Sequence, residues 1–163
     1  MLINEINRLR KLIGINEGIV SSEDINCIMR GYLGAAMWTE GERLDGEYNG
    51  NERDSDDLEN LGLGRDTFGV DNIESDSLIK VYEDIKKFIN MCGNEVIGVA
   101  IGEHGCDQLG HDLWLTRNGH GAGFFDRGYD DEVEGILMRC AQGLGMVDLY
   151  INDNSLSFSN ENI

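Results

Sequence analysis

The segment 111–128 constrains the fold more than any other stretch of the chain. It reads His-Asp-Leu-Trp-Leu-Thr-Arg, then Asn-Gly-His-Gly, then Ala-Gly-Phe-Phe-Asp-Arg-Gly. The Asn-Gly pair supplies the positive φ angles that a tight turn requires, and short runs rich in apolar residues lie on both sides of it. We therefore predict a β-hairpin whose strands lie near 112–117 and 122–127.

A hairpin with a four-residue loop sets a specific register. It places Trp114 opposite Phe125 and Asp112 opposite Arg127, and both are favourable cross-strand pairs. We expect this register to be fixed by ion pairs among the charged residues of the two strands, which are Asp112, Arg117, Asp126 and Arg127.

The rest of the chain divides into helices and one further hairpin. Apolar residues at helical spacing predict helices over 2–13, from Ser21 or Ser22 toward Trp38, over 77–92 and over 132–143. The apolar run 96–101 fits either a strand or a helical turn. Residues 147–151, with Leu156 and Phe158, predict a closing hairpin around 152–154.

These elements predict a single α+β domain. At 163 residues the chain is long enough for one core-bearing domain. We expect an antiparallel sheet of about four strands, in two hairpins, packed against helices. The predicted parts are N-terminal helices over 2–39, an acidic loop or arm over 40–76 and an α+β core over 77–160.

The negative charge of the chain is concentrated in one segment. The whole sequence has 31 acidic and 13 basic residues, a formal net charge of -18. Residues 40–76 contain 13 acidic residues against three arginines, a net charge of -10. Apolar residues are too few there for an independent core, so the segment is either a solvated loop or a charged arm. The carboxylates that we expect to bind a partner are Glu40, Glu42, Asp45, Glu47, Glu52, Asp54, Asp56, Asp57 and Glu59.

A net charge of this size restricts the function. It repels nucleic acid and anionic membranes, and it steers the protein toward basic surfaces. The alternative reading is that the charge serves only solubility. The N-terminus lacks the long apolar stretch of a signal peptide and no window approaches a membrane span, so we expect a cytoplasmic protein.

The cysteines and histidines give only a weak metal signal. Four cysteines without a Cys-x-x-Cys pair argue against a zinc ribbon, and we expect reduced, mostly buried thiols. Suitable ligands lie within 17 residues, namely His104, Cys106, His111, Asp112 and His120. Their spacing matches no standard zinc pattern. We therefore predict no metal or other cofactor and expect the histidines to form hydrogen bonds at the hairpin end.

The hairpin also offers groups for catalysis or ligand binding. Six of its residues could form a ligand pocket, and they are His111, Asp112, Trp114, Arg117, His120 and Arg127. No nucleophile motif accompanies them, so we predict no catalytic residue. The run Gly119-His120-Gly121-Ala122-Gly123 lacks the Lys-Ser/Thr of a phosphate-binding loop.

The sequence resembles a family of small, functionally uncharacterised proteins encoded mostly by bacteriophages. Residues 110–128 are similar to the family pattern G-H-D-F-W-L-T-R-N-G-H-G-A-G-F-W-D-R-G. Residues 36–40 and 44–48 resemble its A-L-W-[ST]-E and L-D-x-x-Y stretches, and 147–150 resemble its closing strand. Departures are Phe125 in place of Trp, an enlarged acidic insertion after Tyr48, and an added N-terminal helix. The resemblance implies a phage or prophage origin and no catalytic role or cofactor.

Origin and charge together predict an acidic inhibitor in the host cytoplasm. Closely spaced carboxylates can imitate duplex DNA, which carries one charge per ~1.7 Å of axis. We expect the protein to occupy a basic surface of a host defence or nucleic-acid-processing enzyme, as a DNA mimic. The alternatives are a protein that binds a signalling nucleotide through 111–127, and a metal-dependent hydrolase.

Overall fold

The computed structural model describes residues 20–49, 70–153 and 155–160, with the backbone alone at 45–49, 70 and 160. These ranges form helices α1 Ser22–Asn49, α2 Ser75–Cys92, α3 Asn94–His104, α4 Cys106–Arg117 and α5 Asp131–Gly143, and strands β1 Val147–Asn152 and β2 Ser155–Asn160. The predicted helix 2–13 lies outside the described residues. None of the described helices is long and apolar enough to cross a membrane.

The start of α1 is confirmed, and the helix runs further than predicted. Asp24 accepts a hydrogen bond from the Ser21 backbone N–H at 3.0 Å, and its own N–H donates to Ser21 Oγ at 3.1 Å. This reciprocal pair satisfies backbone donors that a helix start leaves free. The helix then continues to Asn49, so the first ten residues of the predicted acidic loop are helical.

The predicted helices over 77–92 and 132–143 are confirmed as α2 and α5. They could be predicted because each has one apolar face. In α2 the buried stripe includes Val81, Ile85 and Phe88, and the helix ends at Gly93 with φ of +88°. In α5 the Asp130 side chain caps the first turn by accepting from the Glu132 N–H. Amphipathic helices of this kind give a periodic pattern that can be read directly.

The predicted hairpin over 112–127 is wrong, and with it the sheet of four strands. Residues 106–117 form α4, and the described residues contain one two-stranded sheet. The run 96–101 lies inside α3. Helix α4 is central, in contact with α1, α3 and α5, and it is buried on nearly every side. A helix with so little solvent-exposed surface shows only a weak helical period in its sequence, and so it imitates a strand.

The Asn-Gly pair ends a helix instead of turning a hairpin. Asn118 Nδ2 donates to the Trp114 carbonyl oxygen at 3.1 Å, and Gly119 follows with φ of +66°. A left-handed residue just past a helix is a common helix ending. The pair forms a turn, as its chemistry predicts, but the turn follows a helix and does not join two strands.

Helices α1 and α4 touch through their backbones. A Cβ added to Gly31 would lie 1.9 Å from the Asp107 carbonyl oxygen, and one added to Gly110 would lie 1.8 Å from the Ile28 carbonyl oxygen. A disulfide between Cys27 and Cys106 joins the helices next to this contact. The expectation of reduced thiols thus fails for this pair, whereas Cys92 and Cys140 are free and buried.

The closing hairpin is confirmed. Strands β1 and β2 pair antiparallel, with Val147 opposite Asn160 and Ile151 opposite Leu156. The turn residue Asp153 has φ of +55°, a conformation that Asp tolerates better than most residues. Buried side chains of both strands join the core, namely Val147, Leu149, Leu156 and Phe158.

Candidate functional site

Asp112 and Arg127 form an ion pair inside the molecule. The Asp112 side chain is fully buried, and the guanidinium of Arg127 approaches it through Nε at 2.8 Å and a terminal nitrogen at 2.9 Å. These hydrogen bonds raise the pKa of Arg127 above its ordinary value. The predicted partners thus do pair, although they join a helix to a loop and not two strands.

Arg117 is also used within the protein. Its buried guanidinium donates to Asp84 at 3.0 Å, to the Tyr32 hydroxyl at 2.9 Å and to the Gly145 carbonyl at 2.8 Å. Burial raises the pKa of Tyr32 to about 12, although the neighbouring Arg117 opposes the shift. With these partners the guanidinium is not placed to clamp an external anion.

Trp114 is part of the core and offers no free ring face for a ligand. Its indole is buried, and Nε1 donates to Thr39 Oγ1 at 2.8 Å. Its ring meets Tyr32 edge-on at 5.3 Å between centroids and lies 6.2 Å from the partly exposed ring of His120. The expected nucleotide pocket beside Trp114 is therefore filled by the protein's own side chains.

The loop after α4 is tied down by the remaining polar groups of the motif. Thr116 Oγ1 accepts from the Phe124 N–H at 3.2 Å, and Asp126 accepts from the Gly123 N–H at 3.0 Å. Asn118 Oδ1 accepts from the Val147 N–H at 2.9 Å and so connects the loop to β1. Most of the polar side chains in 111–128 therefore stabilise the fold.

One face between α1 and α4 stays open. Trp38 is 60% exposed, and its ring lies 5.8 Å from that of His111. Beside His111 an open pocket of about 400 Å³ is lined by Arg30, Gly31, Gly34, Asp107, Gln108 and His111. Arg30 and Trp38 are not among the site residues predicted from the sequence. Their spacing does contain a signal, because Arg30, Gly34 and Trp38 repeat every four residues and so lie on one side of a helix.

The histidines that were weighed as candidate metal ligands contact different partners. The ring of His104 packs edge-on against Tyr129, His120 lies 3.8 Å from Glu40, and His111 faces Trp38. Cys106 instead joins two residues that the prediction did not include. The ligand atoms of Cys27, Cys106 and Asp107 all lie within 4.8 Å of one another.

The acidic segment is described only at its two ends. Glu40 accepts from Arg43 Nε at 2.8 Å, and Glu42 is exposed. Asp45 and Glu47 belong to the last turns of α1, and their side chains are not described. The other predicted partner-binding residues lie outside the described ranges, namely Glu52, Asp54, Asp56, Asp57 and Glu59.

Both ends of this segment are fixed on the closing hairpin. On the α1 side, Arg43 donates to the Leu149 carbonyl at 2.6 Å and lies 3.5 Å from Asp148. On the α2 side, Ile73 forms a β-bridge with Leu156, and the Glu74 N–H donates to the Leu156 carbonyl at 2.9 Å. Arg43 thus contacts β1 and the backbone of Ile73 and Glu74 contacts β2, so both described ends of the segment lie against one hairpin.

Glu74 strengthens the second anchor. Its carboxylate accepts hydrogen bonds from the hydroxyls of Ser157 and Ser155, the latter at 2.7 Å, and from the Asn152 amide at 2.8 Å. These bonds hold the pKa of Glu74 below its ordinary value, with Ser157 contributing most. The charged form of Glu74 is thus the one that binds the hairpin.

The chain matches no family model, no curated protein and no solved structure. The resemblance to a bacteriophage family stays a prediction, and function has to be argued from the chemistry of the residues themselves.

Proposed function

We propose that the protein is an acidic inhibitor that binds the basic surface of a host defence or nucleic-acid-processing enzyme through residues 40–76. The observation that supports this most is the position of the anchors. Arg43 and Glu74 attach the two ends of the segment to one hairpin. These anchors belong to a segment, residues 40–76, whose net charge is -10.

The anchors make such a segment suitable for binding. A segment held at both ends has fewer conformations than a tail held at one end, so it loses less conformational entropy when it binds. Carboxylates concentrated at one place produce a stronger local potential than the same number spread over the surface, and they attract Lys and Arg on a partner. The proposed mechanism is stoichiometric: the carboxylates occupy the positions that nucleic-acid phosphates would take.

Carboxylates elsewhere on the molecule serve a different purpose. Exposed or half-exposed acids lie on α1, α2, α3 and α5, for example Glu23, Glu83, Glu103 and Glu134. Their dispersion over four helices adds to solubility and to long-range steering. Because these four acids lie on four different helices, they provide a control set of equal charge for four carboxylates of the 40–76 segment.

The alternative nucleotide site over 111–127 has less support. Asp112 and Arg117 are buried in ion pairs, and Trp114 is buried in the core. A ligand at this place would have to displace three satisfied side chains, which costs about 1–3 kcal/mol for each polar group left unpaired. We therefore retain the inhibitor as the single proposal.

A capture experiment tests this proposal. The immobilised protein is exposed to a bacterial lysate at about 0.05 M salt and again at about 0.5 M, where the Debye length falls to roughly 4 Å. We expect a nucleic-acid-binding enzyme to be retained only at low salt, and excess duplex DNA to release it because both compete for one surface. A partner that is retained in high salt and in the presence of DNA would contradict the proposal.

A further inference from the structure

Three groups capable of binding a metal ion meet where α1 approaches α4. Cys27 comes from α1, and Cys106 and Asp107 form the first turn of α4. Their ligand atoms lie within 4.8 Å of one another, which holds for no other group of three such residues in the described ranges. We propose that these residues bind a zinc ion when the Cys27–Cys106 disulfide is reduced.

Asp107 lies close enough to Cys27 to bind the same metal ion. Its carboxylate oxygen lies 3.1 Å from Cys27 Sγ. In the disulfide neither sulfur carries a proton, so the carboxylate has no donor at this contact. A zinc ion held between the same three groups satisfies the carboxylate and both thiolates at once.

The backbone geometry suits such a site. The Cα atoms of Cys27 and Cys106 lie 5.5 Å apart, and the Gly31–Asp107 and Gly110–Ile28 contacts fix the two helices at this separation. Two thiolates at Zn–S distances of about 2.3 Å are compatible with this spacing after rotation of the side chains. The positive end of the α4 dipole lies at Cys106, and it favours a thiolate there.

The chemical types of the three ligands favour zinc over other metal ions. Two thiolates and one carboxylate suit zinc better than the harder magnesium or calcium ions, which prefer oxygen ligands. Asp107 also lines an open pocket, together with Arg30 and His111, which has room for a water molecule. A water molecule in this pocket completes a tetrahedral site with three protein ligands.

Loading the site requires a reductant. A dithiol transfers two electrons and two protons to the Cys27–Cys106 bond, which gives two thiols and leaves the reductant as a disulfide. Zinc then displaces the two thiol protons into solvent as it binds both sulfurs. The disulfide and the zinc site are therefore alternative states of the same two cysteines.

Zinc and cobalt titrations of the full chain test this proposal. The reduced protein is expected to retain about one zinc per chain after dialysis, and with cobalt to show the near-ultraviolet charge-transfer band of thiolate ligation. The oxidised protein should show neither. Cys27→Ala and Cys106→Ala should abolish both signals, and Asp107→Asn should weaken zinc binding by about 10-fold to 100-fold.

The second cysteine pair provides the matched control. Cys92 and Cys140 are buried and free, and they belong to α2 and α5. Cys92→Ala and Cys140→Ala should leave zinc stoichiometry unchanged. The proposal is overturned if the reduced wild-type chain retains no zinc, if the cobalt form lacks the thiolate band, or if Cys27→Ala and Cys106→Ala retain as much zinc as the control variants.

Discussion

At the scale of single residues, most polar side chains of the 111–128 segment stabilise the fold through contacts within the protein. Asp112 is fully buried, and besides Arg127 it accepts a hydrogen bond from Gln108 at 3.0 Å. A buried ion pair adds little stability compared with an apolar pair, but removing one partner leaves a charge without compensation. The effect of a substitution therefore depends on which half of the pair it leaves behind.

Arg127→Ala should destabilise the protein by about 3 kcal/mol, because the Asp112 carboxylate stays buried without its cation. Urea denaturation measures this loss. Arg139→Ala, which removes an exposed arginine from α5, should cost less than about 0.5 kcal/mol. The double variant Asp112→Ala/Arg127→Ala should recover part of the loss, and a double variant less stable than Arg127→Ala would contradict this account.

At the scale of elements, the sequence predicts those with one buried face. The start of α1, helices α2 and α5, and the β1–β2 hairpin all show the expected period, and all are present. Helix α4 could not be predicted in this way, since Asp112 and Arg117 are buried and mimic the polar half of a strand. Only tertiary contacts distinguish a buried charge pair from a solvated one.

The same limit applies to the candidate sites. The charge of 40–76 is visible in composition, whereas its anchors at Leu149 and Leu156 depend on contacts across more than 80 residues of chain. The group of Cys27 with Cys106 and Asp107 combines residues from two helices with no motif spacing. Of these three residues, only Cys106 lies in the cluster of candidate ligands over 104–120, because Cys27 is 79 residues away along the chain.

The contact between α1 and α4 leads to a prediction for glycine. Gly110→Ala should destabilise the protein by roughly 3 kcal/mol, since its Cβ would overlap the Ile28 carbonyl oxygen and force the helices apart. A Cβ added to Gly98 on α3 would meet no atom within 4 Å. Gly98→Ala should therefore stabilise the protein by roughly 0.5–1 kcal/mol through helix propensity. Thermal unfolding of both variants measures the difference, and equal shifts of the same sign would refute the backbone contact.

Glu74 gives the second anchor of the acidic segment a pH dependence. Its pKa is lowered from 4.5 in the folded protein, so its contribution to stability is present above pH 4.5 and is lost as pH falls through the lower folded value. Urea midpoints of Glu74→Gln and wild type should therefore differ at pH 7 and converge on acidification toward pH 3. Ser157→Ala, which removes one donor, should show the same trend with a smaller difference. A gap between Glu74→Gln and wild type that does not change with pH would exclude this role.

At the scale of the whole molecule, the chain combines a helical core with a strongly acidic segment. A helical core, closed by the β1–β2 hairpin, holds both ends of a segment that contains more than half of the net charge. The pairs Asp112–Arg127 and Asp84–Arg117, each with one buried and one partly exposed partner, cancel their own charges. Among the described residues several carboxylates are exposed, for example Glu23, Glu83 and Glu103, and the position of such a carboxylate decides whether it binds a partner or only hydrates the protein.

The most direct test compares two variants of equal net charge for their affinity to the captured partner. One replaces Asp54, Asp56, Asp57 and Glu59 by their amides, and the other does so at Glu23, Glu83, Glu103 and Glu134. Both remove four negative charges. We expect the first variant to bind at least about tenfold more weakly and the second to bind almost as well as wild type. Equal losses in the two variants would show that total charge, and not the anchored segment, attracts the partner.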